Sequence, residues 1–213
     1  MSAQCKPQAV LFDFDGTLID SARSVLAGLA HALQSAAITP KHPLDASIIG
    51  PPLAKTLAHL AGSAEPQLIA RLASAFREHY DVAGYRDTEV YPGVAELLAG
   101  LHESGIQLYI VTNKRIAPTR LILAHLGWSH WFSGVYALDA LEPPAPHKPA
   151  LVTEVLRKHG LQHEQTWMVG DSSEDRRAAE ANKLRFFAAS WGYGSAGDGL
   201  KDPLALLAAA TGE

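Results

Sequence analysis

Cysteine is almost absent: the 213 residues include only Cys5. No internal disulfide can form, and a lone thiol in a polar leading segment reads as a bland one. Basic charge is also short. Lys and Arg number 18 against 22 Asp and Glu, a formal net charge of −4, which gives no ground for a nucleic-acid partner. No apolar run is long enough to span a bilayer, and residues 1–8 are too polar for a secretory signal. These absences together predict a cytoplasmic protein without a membrane partner. Histidine is plentiful, with 10 copies, yet none has His-Glu-x-x-His spacing, because His102-Glu103 and His163-Glu164 lack a second imidazole. His147, beside Lys148, is given a surface or supporting role. No Gly-x-x-x-x-Gly-Lys phosphate loop occurs. Gly192 to Gly197 spells Gly-x-Gly-x-x-Gly after a strand, but Asp198-Gly199 and Asp202-Pro203 follow where a helix should open. That segment, with Trp191, is expected to be a loop at the rim of a site.

The remaining composition, 47% hydrophobic and 19% charged, suits one large domain or a core carrying an insertion. Val10 to Phe14 is short, apolar and ended by Asp15-Gly16, so it reads as a buried strand. Val25, Leu26, Leu29, Ala30 and Leu33 then recur at helical spacing, with Asp20 or Ser21 as N-cap. Helices also fit Leu53 to Leu60 and the run Leu68, Ile69, Leu72, Phe76. Residues 20–88 therefore form a helical block with no strand signal. After Tyr91-Pro92-Gly93, strands are expected at Leu108–Val111, Gly134–Ala137, Thr166–Val169 and Phe186–Ala189. Helices are expected at Val94–Leu101, Ala117–Leu126, Pro149–His159, Asp175–Ala181 and Leu204–Ala210, with Asn182 as a left-handed residue after the fourth. Alternation of this kind implies an α/β fold: a Rossmann-like parallel sheet flanked by helices. Residues 1–19 and 89–213 would form the core, and 20–88 an inserted helical cap domain.

Sites of open parallel sheets lie beyond the carboxyl ends of the strands. Asp13-Phe14-Asp15-Gly16-Thr17-Leu18 ends the first strand and Thr112-Asn113-Lys114 the second. Gly170-Asp171-Ser172-Ser173-Glu174-Asp175 ends the fourth, and His147-Lys148 precedes a helix. Singly, each admits a plainer reading: a solvated turn, a helix cap at Thr112, Asp171 or Ser172, a surface lysine. Asp175 also suits a helix dipole in a first turn.

As an ordered set, these segments resemble the haloacid dehalogenase-like (HAD) hydrolase superfamily over Val10 to Gly194. The finer likeness is to phosphoglycolate phosphatases, through Gly50-Pro51-Pro52-Leu53, Tyr91-Pro92-Gly93-Val94, Val111-Thr112-Asn113-Lys114 and Trp191-Gly192-Tyr193-Gly194. The resemblance implies a phosphomonoester hydrolase with Asp13 as nucleophile, already ionised at neutral pH. Asp15 would protonate the leaving alkoxide and then deprotonate water. Gly16 allows a tight turn at the phosphate. Carboxylate and phosphate repel, so a cation is needed, and Mg²⁺ takes oxygen ligands. Asp13, the Asp15 main-chain carbonyl and Asp171 would hold it, with Asp175 in support. Lys148 would neutralise phosphoryl oxygens, while the Thr112 hydroxyl and the Asn113 backbone would donate to them. The partner would be a small phosphorylated metabolite, best represented by 2-phosphoglycolate, and the chain a monomer or homodimer. A carboxylated substrate needs a further cation, for which Arg23, Lys55, Arg86 and Arg115 are candidates by position. Gly50 and Pro51 would face the mouth. The Pro-rich stretch Glu142 to Pro146 departs from the common pattern and leaves the substrate less defined. Two other readings are a sugar-phosphate mutase on the same scaffold and a non-catalytic binding protein.

Overall fold

The computed structural model describes residues 6–194 and 196–212, so Cys5 and Ser195 lie outside it. Its centre is a five-stranded sheet of β1 (Ala9–Phe12), β4 (Gln107–Thr112), β5 (Phe132–Ala137), β6 (Thr166–Gly170) and β7 (Arg185–Ala188). The order is β5-β4-β1-β6-β7, and every pair is parallel. This is the expected α/β architecture. β1 is the middle strand, so the residues following it emerge between those following β4 and β6.

Alternate residues explain why these strands are apolar throughout. Val10 and Phe12, Leu108 and Ile110, and Trp167 and Val169 belong to one buried cluster. Ala9 and Leu11, Tyr109 and Val111, and Met168 belong to another. A sheet covered on both faces leaves no position for a polar alternation. The first face receives α4 (Val94–Glu103), α5 (Ile116–His125) and α8 (Pro203–Thr211), the second α6 (Lys148–His159) and α7 (Ser173–Ala181).

Helices α1 (Ala22–Ser35), α2 (Leu53–Ala61) and α3 (Pro66–Tyr80) fill the interval between β1 and β4. Leu29, Leu57, Leu72 and Phe76 on these helices share a cluster with Phe14, Leu18 and Ile19. Gly28 permits a close approach of α1 to α3: a Cβ there would sit 2.9 Å from the Phe76 ring. Among the described residues, no helix is long and apolar enough to cross a membrane.

Two local expectations are corrected. Residues 20–88 begin in a strand: β2 (Ile19–Asp20) pairs antiparallel with β3 (Glu89–Val90), Asp20 opposite Glu89. Two-residue strands are too short to show a period. Asn182 is not left-handed, with φ −104°; Lys183 takes that conformation, at φ 56°. The Asn182 amide instead ties α7 to α6, donating to Pro149 O at 3.1 Å and accepting from Thr153 Oγ1 at 2.7 Å. At the start of α1, Asp20 Oδ1 accepts from the Ala22 N–H at 2.9 Å, while Ser21 makes no side-chain cap.

Candidate active site

The carboxyl edge of the sheet gathers the expected acids and the buried lysine. Asp13 follows β1, and its N–H donates to Val169 O at 2.9 Å, so its backbone is still fixed by β6. Lys148 opens α6, where His147 caps the helix by accepting the Ala150 N–H on Nδ1 at 3.2 Å. A lysine in a first turn would ordinarily reach for solvent. Lys148 is 1% exposed, with Nζ 2.7 Å from Asp13 Oδ1 and 2.5 Å from Asp175 Oδ1. Asp175 uses its other oxygen in a capping box with Ser172, accepting from that residue's N–H at 3.0 Å and hydroxyl at 2.6 Å. It therefore starts α7 and orients Lys148 together. Asp171 Oδ2 accepts the N–H groups of Tyr193 and Gly194 at 3.0 and 3.2 Å.

Three buried carboxylates face one ammonium, and the electrostatics show the surplus. Burial, then the neighbouring Asp175, push the Asp13 carboxyl up to about 8. Burial and Asp175 also raise Asp171, to about 6. Burial alone would lower Lys148, but the carboxylates of Asp13 and Asp175 override it and hold the amine above its usual range. Asp13, Asp171 and Asp175 each offer an oxygen, all within 4.8 Å of one another. An all-oxygen set with excess negative charge fits a hard divalent cation, whose charge would reverse the upward shifts.

Asp15 points into a different environment. Its Oδ1 accepts from the Ser21 hydroxyl at 2.5 Å and from Lys114 Nζ at 3.0 Å. Lys114 also donates to the Tyr80 hydroxyl at 2.8 Å. Burial lowers the affinity of Lys114 for its proton, yet Asp15 and Tyr80 outweigh this and raise it. Gly16, at φ +80°, is required beside these groups: a Cβ would meet Asp171 Oδ2 at 2.3 Å. The 191–194 loop closes this side. Trp191 Nε1 donates to Thr17 O at 2.9 Å, and the Tyr193 hydroxyl donates to Asp20 Oδ1 at 2.9 Å.

Thr112 ends β4 buried, and its Oγ1 accepts the Lys114 N–H at 3.1 Å, which leaves its O–H to donate. Asn113 Nδ2 reaches Gly50 O at 3.0 Å and Glu174 Oε2 at 2.9 Å. Gly50 and Pro51 line a pocket that also includes Asp15, Asn113, Lys114 and Arg115. Of the four cations expected to read substrate, Arg115 is in that lining, paired to Asp81. Arg23 is exposed beside Glu89, Lys55 is exposed, and Arg86 lies over the Tyr85 ring. Sequence reasoning missed Lys114, Ser21 and Tyr193. Lys114 had one visible signal, its place directly after Thr112-Asn113 at a strand end. Ser21 was visible only as a candidate cap six residues after Asp15, and Tyr193 only within the Trp191–Gly194 motif, because its contact with Asp20 spans 173 residues.

A family model described as haloacid dehalogenase-like hydrolase matches residues 10–189. The chain belongs to the haloacid dehalogenase-like hydrolase family. Among relatives of this HAD-like chain, the tyrosine-protein kinase PtkA of Mycobacterium tuberculosis is 34% identical over 193 residues, 89% of this chain and 64% of PtkA. The chain thus spans under two thirds of that relative. A phosphoglycolate phosphatase of Vibrio cholerae is 32% identical over 86% of this chain and 84% of its own. The solved HAD-like hydrolase SP0104 of Streptococcus pneumoniae superposes with TM-score 0.80 at 28% identity, covering 95% of this chain and 97% of that one. The family model and the S. pneumoniae structure carry the family description expected from the strand-end motifs.

Proposed function

We propose that the protein is a Mg²⁺-dependent phosphomonoester hydrolase acting through an aspartyl-phosphate on a small phosphorylated metabolite. The observation that carries this reading is Asp13 held 2.7 Å from Lys148, beside Asp171 and Asp175, where the central strand ends. The phosphatase likeness of the Vibrio relative supports it and makes 2-phosphoglycolate the first substrate to try.

An Asp13 oxygen attacks phosphorus, and the bond from phosphorus to the alcohol oxygen breaks. Asp15 gives that oxygen its proton. Water then attacks the aspartyl-phosphate, Asp15 takes the water proton, and the bond between Asp13 and phosphorus breaks. Lys148 and the Thr112 hydroxyl hold phosphoryl oxygens throughout. A divalent cation held by Asp13, Asp171 and the Asp15 main-chain carbonyl would offset the repulsion between carboxylate and phosphate. Ser21 and Lys114 orient Asp15 between its two proton transfers.

We assign residues 1–19 and 89–213 to the catalytic core and 20–88 to a cap. The β2–β3 ribbon brings the two ends of this insertion together, which suits a paired hinge. The test is phosphate release from 2-phosphoglycolate and p-nitrophenyl phosphate, with and without Mg²⁺, beside Asp13→Asn. Mg²⁺-dependent release lost in the variant supports the reading. Transfer to a second sugar phosphate without release would replace it with the mutase reading.

A further inference from the structure

The pocket beside Asp15 is largely apolar, with Thr56, Tyr80 and Asn113 as its uncharged polar lining, where a carboxylated substrate would need charge. Its walls include Leu29 of α1, Ile48, Leu53 of α2, Phe76 of α3 and Pro118 of α5. Lys114 and Arg115 are the cations among its described lining residues, and both are already matched. Lys114 Nζ lies 3.0 Å from Asp15 Oδ1, and Arg115 makes two hydrogen bonds to Asp81. A carboxylate entering here would lose its water and meet no cation that is not already paired, a costly burial. Recruiting Arg115 would strip Asp81 of its guanidinium. Recruiting Lys114 would take it from Asp15.

The position of the pocket decides its occupant. Asp15 belongs both to the Asp-x-Asp motif and to the pocket wall, whereas Asp13, Lys148, Asp171 and Asp175 lie outside the described lining. Phosphate chemistry and pocket therefore meet at the group that protonates the leaving oxygen. What extends past Asp15 is the alcohol part of the ester. The cavity measures about 70 Å³, under half the ~150 Å³ apolar cavity that takes up benzene. That space suits a short aliphatic chain.

We infer that this pocket binds the leaving group, and that the substrate class is phosphomonoesters of short, uncharged aliphatic alcohols. The inference rests on hydrolysis at Asp13 and narrows it, away from phosphoglycolate. Leu29, Phe76 and Leu53 come from three helices of the 20–88 segment, so that segment supplies most of the apolar wall, with Pro118 of α5 from the core.

The test uses phosphonates, which bind without being hydrolysed. The full chain, with Mg²⁺ present, is titrated calorimetrically with methyl-, ethyl- and propylphosphonate and with phosphonoacetate. Affinity should rise about fourfold per added methylene, and propylphosphonate should bind at least about tenfold tighter than phosphonoacetate. Ile48→Asn and Leu53→Asn, at half-buried positions, should flatten the series with circular dichroism unchanged. A flat series in the unaltered protein, no binding, or phosphonoacetate binding as tightly as propylphosphonate overturns the inference. Phosphate release from propyl phosphate is measured in parallel. A graded series without release sustains the pocket and sinks the hydrolase reading. Release favouring 2-phosphoglycolate with a flat series does the opposite.

Discussion

Arg115 lays both arms of its guanidinium on the Asp81 carboxylate, at 2.9 and 2.5 Å. The pair joins the loop after β4 to the residue ending α3, and each side chain is only about a fifth exposed, at 21% and 23%. One residue earlier on each side, Lys114 donates to the Tyr80 hydroxyl. Two consecutive residues of the sheet edge thus grip two consecutive residues of the helical segment. A bidentate, half-sheltered pair exceeds an ordinary surface ion pair. A double-mutant cycle over Arg115→Ala and Asp81→Ala should give a coupling of about 1–2 kcal/mol in urea unfolding. Additive single effects would show that the pair carries no stability.

The carboxylate surplus predicts an unusual pH profile for the metal-free protein. Asp13 is raised to about 8 and Asp171 to about 6. Between the ordinary carboxylate range and these values, the folded protein binds more protons than the unfolded chain. Stability contributed by these groups is present at low pH and lost as pH rises through about 4 to 8, at up to about 1.4 kcal/mol per pH unit for each proton. Urea unfolding with a chelator present should show that decline, and Asp13→Asn should flatten it. Added Mg²⁺ should stabilise the protein more at pH 8 than at pH 5. A chelated protein that gains stability between pH 5 and 8, with Asp13→Asn following it, contradicts the surplus.

Lys148 is the counterweight to that cluster. Removing it as Lys148→Ala leaves Asp13 and Asp175 buried without their cation, a change that costs about 3–5 kcal/mol when a buried pair loses one member. Lys148→Arg keeps the charge but replaces a compact ammonium, bridging 2.7 and 2.5 Å contacts, with a planar fork. Both variants should lose phosphatase activity, and the arginine variant should recover stability only in part. Full activity in Lys148→Arg would show that position is unimportant and charge alone suffices.

How much of this was legible follows the physics of each signal. The strands could be read because both faces of the sheet are buried, leaving unbroken runs such as Ala9–Phe12. The acids could be read because carboxylates at the end of such a run demand an explanation. Lys114 was harder. Its partners Asp15 and Tyr80 lie 99 and 34 residues away, and only the closing of the helices over the sheet edge assembles them. The β2–β3 ribbon is two residues long and has no period to detect. Asn182 and Lys183 were exchanged because a propensity for left-handed backbone competes with a side chain's hydrogen bonds, and here the bonds to α6 prevail.

The 191–194 loop gives the last prediction. A Cβ at Gly192 would lie 1.8 Å from Gly16 O and 2.9 Å from the Asp171 Cβ, while one at Gly105 would meet nothing within 4 Å. Gly16 and the 191–194 loop therefore touch backbone to backbone, and this contact sets the Tyr193 and Gly194 N–H groups on Asp171 Oδ2. Gly192→Ala must push the two segments apart. Thermal unfolding should show a loss above about 2 kcal/mol, and the Mg²⁺ concentration for half-maximal rate should rise as Asp171 loses its orienting donors. Gly105→Ala, at φ +74°, carries backbone strain of about 1 kcal/mol and should leave the Mg²⁺ requirement unchanged. If both variants lose stability alike and share the parent's Mg²⁺ dependence, the loop does not position Asp171.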